Sequence, residues 1–481
     1  MKTHSSSSTS TSCSTSSLLF LCLLFLSSFS TCFANPYSAR AFLLSDILAT
    51  CQFDPLLGLF NDLVWQSGSG LETLSDVIIQ SGSTKAPSRW TNVLSTMYEK
   101  LPAVIDNCFD DHQWFLLGWI RAYEATLNVS YIQRAAIIFD FVATKGWETT
   151  LCGGGVTWCP PPTGPYKNAI TSELFFASAM GLAPYESIVS KPTGYYTSWG
   201  SKIWSWLEQS TMLNNDFLFN DGLNSGTCLN NGQKTWTYNQ GVVLSGLARL
   251  SVATSNNTLL QIAEKIARSA MANLSIDGIL TEPCDGGFCD NDQRIFKGVF
   301  VRHLAILTSL ASSSSFKTDA SIFLASNALA LERNGAGGCS LAGSTYPIRW
   351  DGPCDSSADV ATTAAALDAF AAASKVNVSA PIVSWMPLGF GNCADTNGDS
   401  MANCYASNVL DERACRDAAW TTRGSIAYDF SFSDCLGGTF CRVRTLAGSG
   451  ACSGGFSWAN GSATTITTTV DGSRSICVIR T

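Results

Sequence analysis

Two adjacent carboxylates, Asp110 and Asp111, open a stretch that is otherwise almost entirely apolar as far as Tyr123. A helix that is apolar on every side is typical of the centre of a large helical protein. Two acids at the start of such a helix are candidates for a general acid and base, or for an acid and a nucleophile. Neighbouring residues on a helix point in different directions, so the pair can converge on one substrate only where the backbone is not yet helical. The start of a helix permits that.

Helix capping is the structural explanation of the same pair. Asp is a favoured N-cap residue, and a second Asp in the first turn interacts favourably with the helix dipole. For two Asp residues before an apolar run, capping is by itself the commoner role. The pair therefore needs support from the rest of the chain.

Polar and aromatic residues also stand at the starts of other buried segments, where core packing does not require them. Such side chains can hydrogen-bond sugar hydroxyls or stack on a sugar ring. Each could also be a cap or a satisfied buried polar group, but together they predict a sugar site. The candidate binding residues are Trp114, Tyr166, Lys167, Asn168, Trp236, Tyr238, Asn239, Gln240, Asp292 and Lys297.

The elements that must position these residues are an alternating series of helices from Ala39 to about Ser374. Segments that are apolar all round, such as 110–127 and 168–182, are followed by segments with one apolar stripe, such as 131–143 and 195–207. Concentric rings predict this alternation, because inner helices are covered on both sides and outer helices on one. Further helices are expected at 39–51, 70–82, 89–99, 236–250, 258–274, 295–310, 316–331 and 358–373.

About a dozen helices in this order predict an all-α toroid of six helical hairpins, an (α/α)6 barrel. An irregular α-solenoid is the alternative, although no fixed-period repeat supports it. The long loops 146–166, 214–235, 275–291 and 335–355 all lead into inner helices, at the end where the Asp pair lies. Loops of this length in a compact domain are usually functional, so we expect the site at one rim of the toroid.

The N-terminal region predicts secretion. Residues 1–34 combine a polar front, an apolar run from Leu18 to Phe29 and small residues before Ala34, which is typical of a signal peptide. No later segment is long and apolar enough to span a membrane, and the C-terminus lacks the tail of a lipid-anchor signal. We therefore expect an extracellular protein of the cell wall or apoplast. Its net charge of −8 argues against nucleic acid or an anionic membrane as a partner.

Sixteen of the 19 cysteines follow the predicted signal peptide, and an even number in a secreted chain predicts disulfides rather than metal sites. Nine precede residue 380 and seven follow it, so either one bridge joins the two parts or each part keeps a free thiol. We favour the bridge. Glycosylation sequons begin at Asn128, Asn256, Asn273, Asn377 and Asn460.

The composition changes after residue 380. Residues 385–481 are rich in Cys, Gly, Ser and Thr and contain short alternating runs such as Ala427 to Phe432. This pattern predicts a small β-rich, disulfide-stapled module. We therefore expect a catalytic domain at 35–380 followed by a module of unknown role at 381–481.

Five short motifs in one order give the chain a family resemblance. They are Phe109-Asp110-Asp111-x-x-Trp114 with Ala122-Tyr123, Cys152-Gly153-Gly154-Gly155-Val156-x-Trp158, Tyr166-Lys167-Asn168-Ala169-Ile170-Thr171, Trp236-x-Tyr238-Asn239-Gln240-Gly241 and Phe296-Lys297-Gly298-Val299-Phe300-x-Arg302. Together they resemble glycoside hydrolase family 76, the endo-α-1,6-mannanases, over about residues 36–375. The resemblance implies the same toroid, hydrolysis of α-1,6-mannan with retention of anomeric configuration, and no metal or other cofactor.

The resemblance also implies roles for the acidic pair, with Asp110 as the nucleophile and Asp111 as the general acid/base. Two other functions stay open. Fungal cell-wall members of the family are thought to transfer the glycan to another sugar, but the missing anchor signal favours hydrolysis. The second is a non-catalytic glycan-binding protein. A site without catalytic activity would not need two carboxylates at a position where burying charge is unfavourable. The oligomeric state, the natural glycan and the role of the C-terminal module are not predicted.

Overall fold

The computed structural model describes residues 36–105, 107–163, 165–334, 346–352 and 359–376, together with the backbone of short strands beyond residue 384. The predicted signal peptide, most of the loop at 335–355 and the sequons at Asn377 and Asn460 lie outside these residues. Within them, no helix is both long and apolar enough to cross a bilayer.

Twelve α-helices lie within the described part of residues 36–376. They are α1 (Pro36–Cys51), α2 (Val64–Ser81), α3 (Ser88–Lys100), α4 (Phe109–Thr126), α5 (Val129–Lys145), α6 (Ala169–Leu182), α7 (Tyr195–Gln209), α8 (Thr237–Thr254), α9 (Asn257–Asn273), α10 (Phe296–Leu310), α11 (Ser314–Asn334) and α12 (Val360–Ser374). Short 3₁₀ segments at Ala183–Tyr185 and Gln293–Ile295 follow α6 and precede α10.

The even-numbered helices form a closed inner ring. Each packs against the next, and α12 returns to α2, while the odd-numbered helices cover the ring from outside. Every residue of α6 is buried, whereas α9 buries a single stripe that includes Leu259, Ala263 and Ile266. The predicted alternation of inner and outer helices is confirmed. All inner helices run in the same direction, so their N-termini share one end of the ring.

The start of α2 differs from the prediction. The sequence analysis placed this helix at 70–82, but it begins at Val64 because the stretch Gln66 to Gly70 is helical and buried despite its polar and glycine-rich composition. A Cβ on Gly68 would lie 2.7 Å from the backbone nitrogen of Phe115. Glycine therefore allows α2 and α4 to approach each other at backbone distance.

A buried arginine on α10 connects three inner helices near the axis. The Arg302 guanidinium lies 3.3 Å from Asp368 on α12 and 3.4 Å from Glu72 on α2. It also donates to the Thr73 hydroxyl at 2.7 Å. These ion pairs and the hydrogen bond offset part of the cost of burying the charges.

Short strands complete the described structure. Two small antiparallel hairpins are β1 (Phe53–Asp54) with β2 (Leu59–Phe60) and β3 (Ser275–Ile276) with β4 (Ile279–Leu280). Beyond residue 384 lie β5 (Trp385–Phe390), β6 (Asn392–Ala394), β7 (Ala402–Ser407), β8 (Ser425–Phe432), β9 (Thr439–Thr445), β10 (Ser457–Ala459), β11 (Thr468–Val470) and β12 (Ser475–Arg480). They pair as an antiparallel sheet in the order β10-β7-β9-β8-β12-β5 and as the pair β11-β6. The β-rich, disulfide-stapled module stays a prediction, and the cysteines of this region lie outside the residues whose side chains are described.

All seven described cysteines of the helical part are disulfide-bonded, in agreement with the prediction of disulfides. Disulfides join Cys108 to Cys159, Cys152 to Cys228 and Cys284 to Cys289. Cys51 is also disulfide-bonded. The described sequon residues Asn128, Asn256 and Asn273 are all exposed and lie at the ends of outer helices, where a glycan would not disturb the core.

Candidate active site

A cavity of about 350 Å³ lies at the N-terminal ends of the inner helices. Side chains from α2, α4, α8 and α10 and from the loops before α4, α6, α8 and α10 form its walls. The lining residues are Trp65, Asn107, Cys108, Asp110, Asp111, Trp114, Trp158, Tyr166, Asn168, Asp221, Tyr238, Asp292 and Phe296. The cavity therefore lies at the rim where the sequence analysis expects the site.

The acidic pair lies in the first turn of α4. This helix begins at Phe109, so the backbone at Asp110 and Asp111 is already helical, which the sequence analysis did not expect for a converging pair. Both side chains nevertheless line the cavity. The cavity at this end of the ring thus accommodates two consecutive side chains that leave the helix in different directions.

The loop before α6 holds a hydrogen-bond donor against Asp110. The indole nitrogen of Trp158 donates to Asp110 Oδ2 at 3.0 Å. The backbone nitrogen of Phe109 donates to the carbonyl oxygen of Trp158 at 2.8 Å, and the Cys108–Cys159 disulfide joins the adjacent positions. The covalent and hydrogen-bonded ties fix Trp158 over the start of α4.

The two carboxyls have different surroundings. Burial raises the pKa of Asp110, while hydrogen bonds from Trp158 and from the backbone nitrogen of Asp111 oppose that rise. The pKa of Asp111 is raised by burial and then by the charges of Asp110 and Asp292. No described residue donates a hydrogen bond to the Asp111 carboxyl. Asp111 is therefore the better proton holder, and Asp110 the better anion.

Aromatic rings form a continuous wall beside the pair. The ring centres of Trp65 and Trp114 are 5.1 Å apart, and those of Trp114 and Tyr238 are 6.5 Å apart and nearly parallel. Tyr238 stacks on Phe296 at 3.7 Å. Extended aromatic faces of this kind pack against the apolar faces of sugar rings.

Two further carboxylates line the cavity. Asp292 accepts hydrogen bonds from the Trp65 indole at 2.7 Å and from the Gln66 amide at 2.8 Å. Asp221 accepts the Tyr166 hydroxyl at 2.5 Å. No lysine or arginine is among the described residues that line this cavity. An uncharged or cationic ligand is compatible with these walls, whereas an anionic one would be repelled.

Seven of the residues selected from the sequence come together here: Asp110, Asp111, Trp114, Tyr166, Asn168, Tyr238 and Asp292. Asn168 also caps α6 by accepting from the backbone nitrogen of Thr171, so it serves structure as well as the cavity wall.

The two predicted lysines do not line the cavity. Lys167 is buried, donates to the carbonyl oxygen of Gly155 at 2.8 Å and pairs with Glu148 at 2.6 Å. Lys297 is equally buried and pairs with Asp285 at 2.6 Å. Both side chains hold loops in place.

Three predicted residues at the start of α8 also lie outside the cavity wall. Gln240 is buried and binds the backbone of Phe219 through both its donor and its acceptor atoms. Asn239 is fully buried, and neither of its amide atoms has a partner among the described residues. Trp236 packs edge-on against Phe296 and so supports the aromatic wall from behind.

Several cavity residues were not predicted as binding residues. Trp65 lies on the part of α2 that the sequence analysis did not recognise as helical. The sequence feature that marks it is an aromatic residue at the start of a buried segment. Trp158 was visible only as an aromatic between two cysteines. Asp221 lies in a long loop and had no distinguishing signal. Its loop docks on α6, since Ala169 donates to the Asp221 carbonyl oxygen at 2.8 Å.

The arrangement can perform acid–base and nucleophilic chemistry on a neutral sugar. It offers one stabilised carboxylate, one carboxyl that holds its proton, and aromatic faces that position a ring. Among described residues, the grouping of potential metal ligands is Cys284, Asp285 and Cys289, whose two cysteines are bonded to each other.

Comparison with known proteins gives a family match. A profile of glycosyl hydrolase family 76 matches residues 48–384. The chain is similar to mannan endo-1,6-alpha-mannosidases of Candida glabrata, at 26% identity over 227 residues, and of Saccharomyces cerevisiae, at 27% over 228 residues. Each alignment covers 46% of this chain and 48% of the relative. The chain thus spans about half the length of these curated relatives.

Solved structures share the fold. An inactive variant of an alpha-1,6-mannanase from a Salegentibacter species, with two consecutive aspartates replaced and alpha-1,6-mannotetrose bound, gives a TM-score of 0.63 at 20% identity. The similarity covers 71% of this chain and 100% of that one. Dfg5 from Chaetomium thermophilum in complex with glucosamine gives a TM-score of 0.55 at 20% identity, over 64% and 80% of the two chains.

Proposed function

Because this chain belongs to glycosyl hydrolase family 76, we propose that it is a secreted retaining hydrolase of α-1,6-mannosidic linkages. The observation that carries the proposal is the consecutive pair Asp110 and Asp111 at the floor of an aromatic cavity, with the two carboxyls in unlike surroundings. The substrate is an α-mannan or a related glycan of the cell wall or apoplast. The mannanase that shares the fold is inactive when two consecutive aspartates are replaced.

In the first step, the Asp110 carboxylate attacks the anomeric carbon while Asp111 gives its proton to the departing glycosidic oxygen. The glycosidic bond breaks, a mannosyl ester forms on Asp110, and Asp111 becomes a carboxylate. The hydrogen bond from Trp158 supports this assignment, because it stabilises the ionised form of Asp110. Burial and the charge of Asp292 support it also, because they keep the proton on Asp111.

In the second step, Asp111 accepts a proton from water, and the water oxygen displaces Asp110 from the anomeric carbon. Two inversions at the same carbon restore the α configuration. The ionised Asp110 is released and Asp111 is protonated again, so the pair returns to its starting state without a cofactor.

Sugar binding is assigned to the aromatic wall and to the polar residues opposite. Trp65, Trp114 and Tyr238 offer ring faces to the sugars, while Asp292 and Tyr166 face the cavity with polar atoms. The absence of cations from the lining residues is consistent with a neutral mannan.

The proposal is tested by incubating the secreted protein with linear α-1,6-mannan and following the product anomers by NMR. The wild type should release α-anomers first. Asp110→Asn and Asp111→Asn should each reduce the rate by about 10³-fold or more, since each removes one of two groups that act together. Asp277→Asn is the matched control, because this exposed Asp lies in the β3–β4 turn away from the cavity.

The products distinguish the other functions. Initial β-anomers would contradict retention. Products longer than the substrate would show transfer to a sugar acceptor, which uses the same two carboxylates but excludes water at the second step. A folded wild type that binds mannan oligosaccharide in calorimetry without turnover would be a glycan-binding protein, and the hydrolase proposal would be withdrawn.

We assign residues 35–380 to the catalytic domain and 381–481 to a separate module. The family match ends near that boundary, at residue 384, and the strands begin at Trp385. Limited proteolysis of the full chain should cut close to residue 380 and leave an active helical fragment. A chain that is cut instead within the helical hairpins would contradict this division.

A further inference from the structure

A second cavity, of about 430 Å³, lies at the opposite end of the helical ring. Arg121 on α4 and Arg249 on α8 line it, and each lies eleven positions after an active-site residue, Asp110 or Tyr238, on the same helix. At 1.5 Å per residue, eleven positions correspond to about 16 Å along the axis. The two cavities are therefore separate.

Four cationic side chains line this far cavity: Arg121, Arg249, Lys317 and Lys375. No aspartate or glutamate is among its lining residues. Hydroxyl groups of Thr308, Ser309 and Ser321 complete the polar part of the wall. A recess with several cations and hydroxyls but no carboxylate at its surface has the composition of an oxyanion site.

Acidic residues behind the wall neutralise part of this charge. Asp76 pairs with Arg121 and, at 2.9 Å, with Lys375, and Glu124 also pairs with Arg121. Two cations, Arg249 and Lys317, have no side-chain hydrogen bond or ion pair with any described residue. Asp76 and Glu124 therefore neutralise only part of the positive charge that lines the far cavity.

Arg249 is the central observation. This residue is partly buried, and a fork of five donors without a partner among the described residues is unusual in such a position. Burial, and then the neighbouring Arg121 charge, lower the pKa of Arg249, while Glu124 and Glu72 oppose that change. Burial lowers the pKa of His303 well below its usual value, and the charges of Arg302, Arg249 and Lys375 add to this effect.

We propose that this far cavity binds an oxyanion, with Arg249 as its principal ligand and Lys317 at its rim. A tetrahedral phosphate or sulfate fits a guanidinium fork backed by hydroxyls, and it supplies the acceptors that Arg249 lacks. The anion is either free in solution or the ester group of a larger molecule. Since the site is separate from the cavity that holds Asp110 and Asp111, it stands independently of the proposed glycosidase activity.

Calorimetry on the full chain tests the site, with inorganic phosphate and glycerol phosphate as probes. One equivalent of at least one probe should bind the wild type. Binding of both probes would indicate an ester-tolerant site, and binding of phosphate alone a site for the free ion. Arg249→Met should weaken binding by about tenfold or more, because a charge-assisted hydrogen-bond partner is lost.

Lys265→Gln is the control, since this exposed lysine of α9 lies over the Phe217 ring and does not line the far cavity. It should bind phosphate as the wild type does. Lys317→Gln, at an exposed position, is the second test variant if Arg249→Met does not fold, and it too should weaken binding. Absence of binding to the wild type, or equal affinities for the test variants and Lys265→Gln, would overturn the proposal.

Discussion

Asp110 and Asp111 are chemically identical side chains that hydrogen bonding makes unequal. Asp110 accepts from the Trp158 indole and from a backbone nitrogen, whereas Asp111 accepts from no described residue. Burial disfavours both anions, but only Asp110 has donors that offset the cost. The hydrogen bond from the loop before α6 thus favours ionisation of Asp110.

Asp292 should control the alkaline limb of the pH profile. Its negative charge raises the pKa of Asp111, and the general acid must be protonated for the first step. In Asp292→Asn the pKa of Asp111 should fall, so the alkaline limb of kcat/KM should move to lower pH, by up to about 1 pH unit. The asparagine oxygen can still accept from Trp65 and Gln66. The measurement is kcat/KM for α-1,6-mannan oligosaccharide from pH 4 to 9.

Asp221→Asn is the matched control for this effect. Asp221 lines the same cavity, but its charge is not among those that raise the pKa of Asp111. The alkaline limb should keep its wild-type position. Equal shifts in both variants would contradict a specific role for Asp292.

Trp158 should control the acid limb. Its N–H stabilises the Asp110 carboxylate, and the nucleophile must be ionised. In Trp158→Phe the pKa of Asp110 should rise, so the acid limb of kcat/KM should move to higher pH by roughly 1 unit. Trp199→Phe, which changes a tryptophan of the outer helix α7, should leave the limb unchanged. An acid limb in the same place in both variants would show that the indole hydrogen bond does not affect Asp110.

Sequence alone could locate the site but could not separate cavity residues from their supports. Lys167 and Lys297 both stand at starts of inner helices, where the sequence analysis expected binding residues. Each instead forms a buried ion pair with an acid from a preceding loop, Glu148 or Asp285. In each ion pair the acid lies 12 or more positions before the lysine in the chain. The periodicity of hydrophobic residues carries no information on ion pairs between residues so far apart.

At the scale of elements, the loops are attached to the inner helices at several points. The Cys152–Cys228 disulfide joins the loop before α6 to the loop before α8. Gly155 has φ +80°, and a Cβ there would lie 2.6 Å from the Trp206 ring. Glycine is therefore required for this loop to pack on α7. The catalytic rim is consequently a connected set of loops on a helical support.

Gly68→Ala should loosen the contact between α2 and α4. The new Cβ would lie 2.7 Å from the backbone nitrogen of Phe115, and backbone cannot rotate away as a side chain can. We expect the free energy of unfolding to fall by about 1–3 kcal/mol, as for other overpacked cores. Activity should fall as well, because the displaced helix α4 carries the Asp pair. Urea unfolding followed by circular dichroism measures the first effect.

Gly286→Ala provides the comparison. No heavy atom lies within 4 Å of the Cβ position at Gly286. Its free energy of unfolding should stay within about 0.5 kcal/mol of the wild type. Equal stability of both variants would mean that the two inner helices can separate without cost.

The helices themselves were predictable, with one physical exception. All twelve were predicted from hydrophobic period and length, because burial on both sides or on one side leaves a different pattern. The start of α2 was missed because small residues such as Ser67 and Gly68 replace apolar bulk where two backbones meet. Such close approach is a property of pairs of helices and cannot be read from one segment.

The whole molecule is polarised along the ring axis. Four aspartates line the cavity at the N-terminal ends of the inner helices, and four cationic side chains line the cavity at the opposite end. Composition gave only the net charge of −8 and could not show this separation. Helix dipoles do not produce it either, since they would favour acids at the N-terminal end only by a modest amount for each helix. The separation of charge between the two ends of the ring therefore comes from individual side chains, and single substitutions can change it.

The buried Glu173 on α6 should make the stability of the molecule depend on pH. It is fully buried, neither carboxyl oxygen has a partner among the described residues, and burial followed by the Asp221 charge raises its pKa well above the usual value. The unfolded chain loses this proton near pH 4.3, whereas the folded chain keeps it. The folded state therefore binds more protons above that pH, and its stability from this group declines as pH rises towards the folded pKa.

Glu173→Gln should remove this decline. A neutral amide occupies the same space, so the slope of the unfolding free energy between pH 5 and 7 should become less negative by up to about 1.4 kcal/mol per pH unit. Ser172→Ala, which removes a neighbouring buried hydroxyl but no titratable group, should keep the wild-type slope. Urea unfolding at a series of pH values measures both. If the slopes of wild type and Glu173→Gln coincide, Glu173 is ionised in the folded protein and must have acceptable partners, such as buried water, in the core.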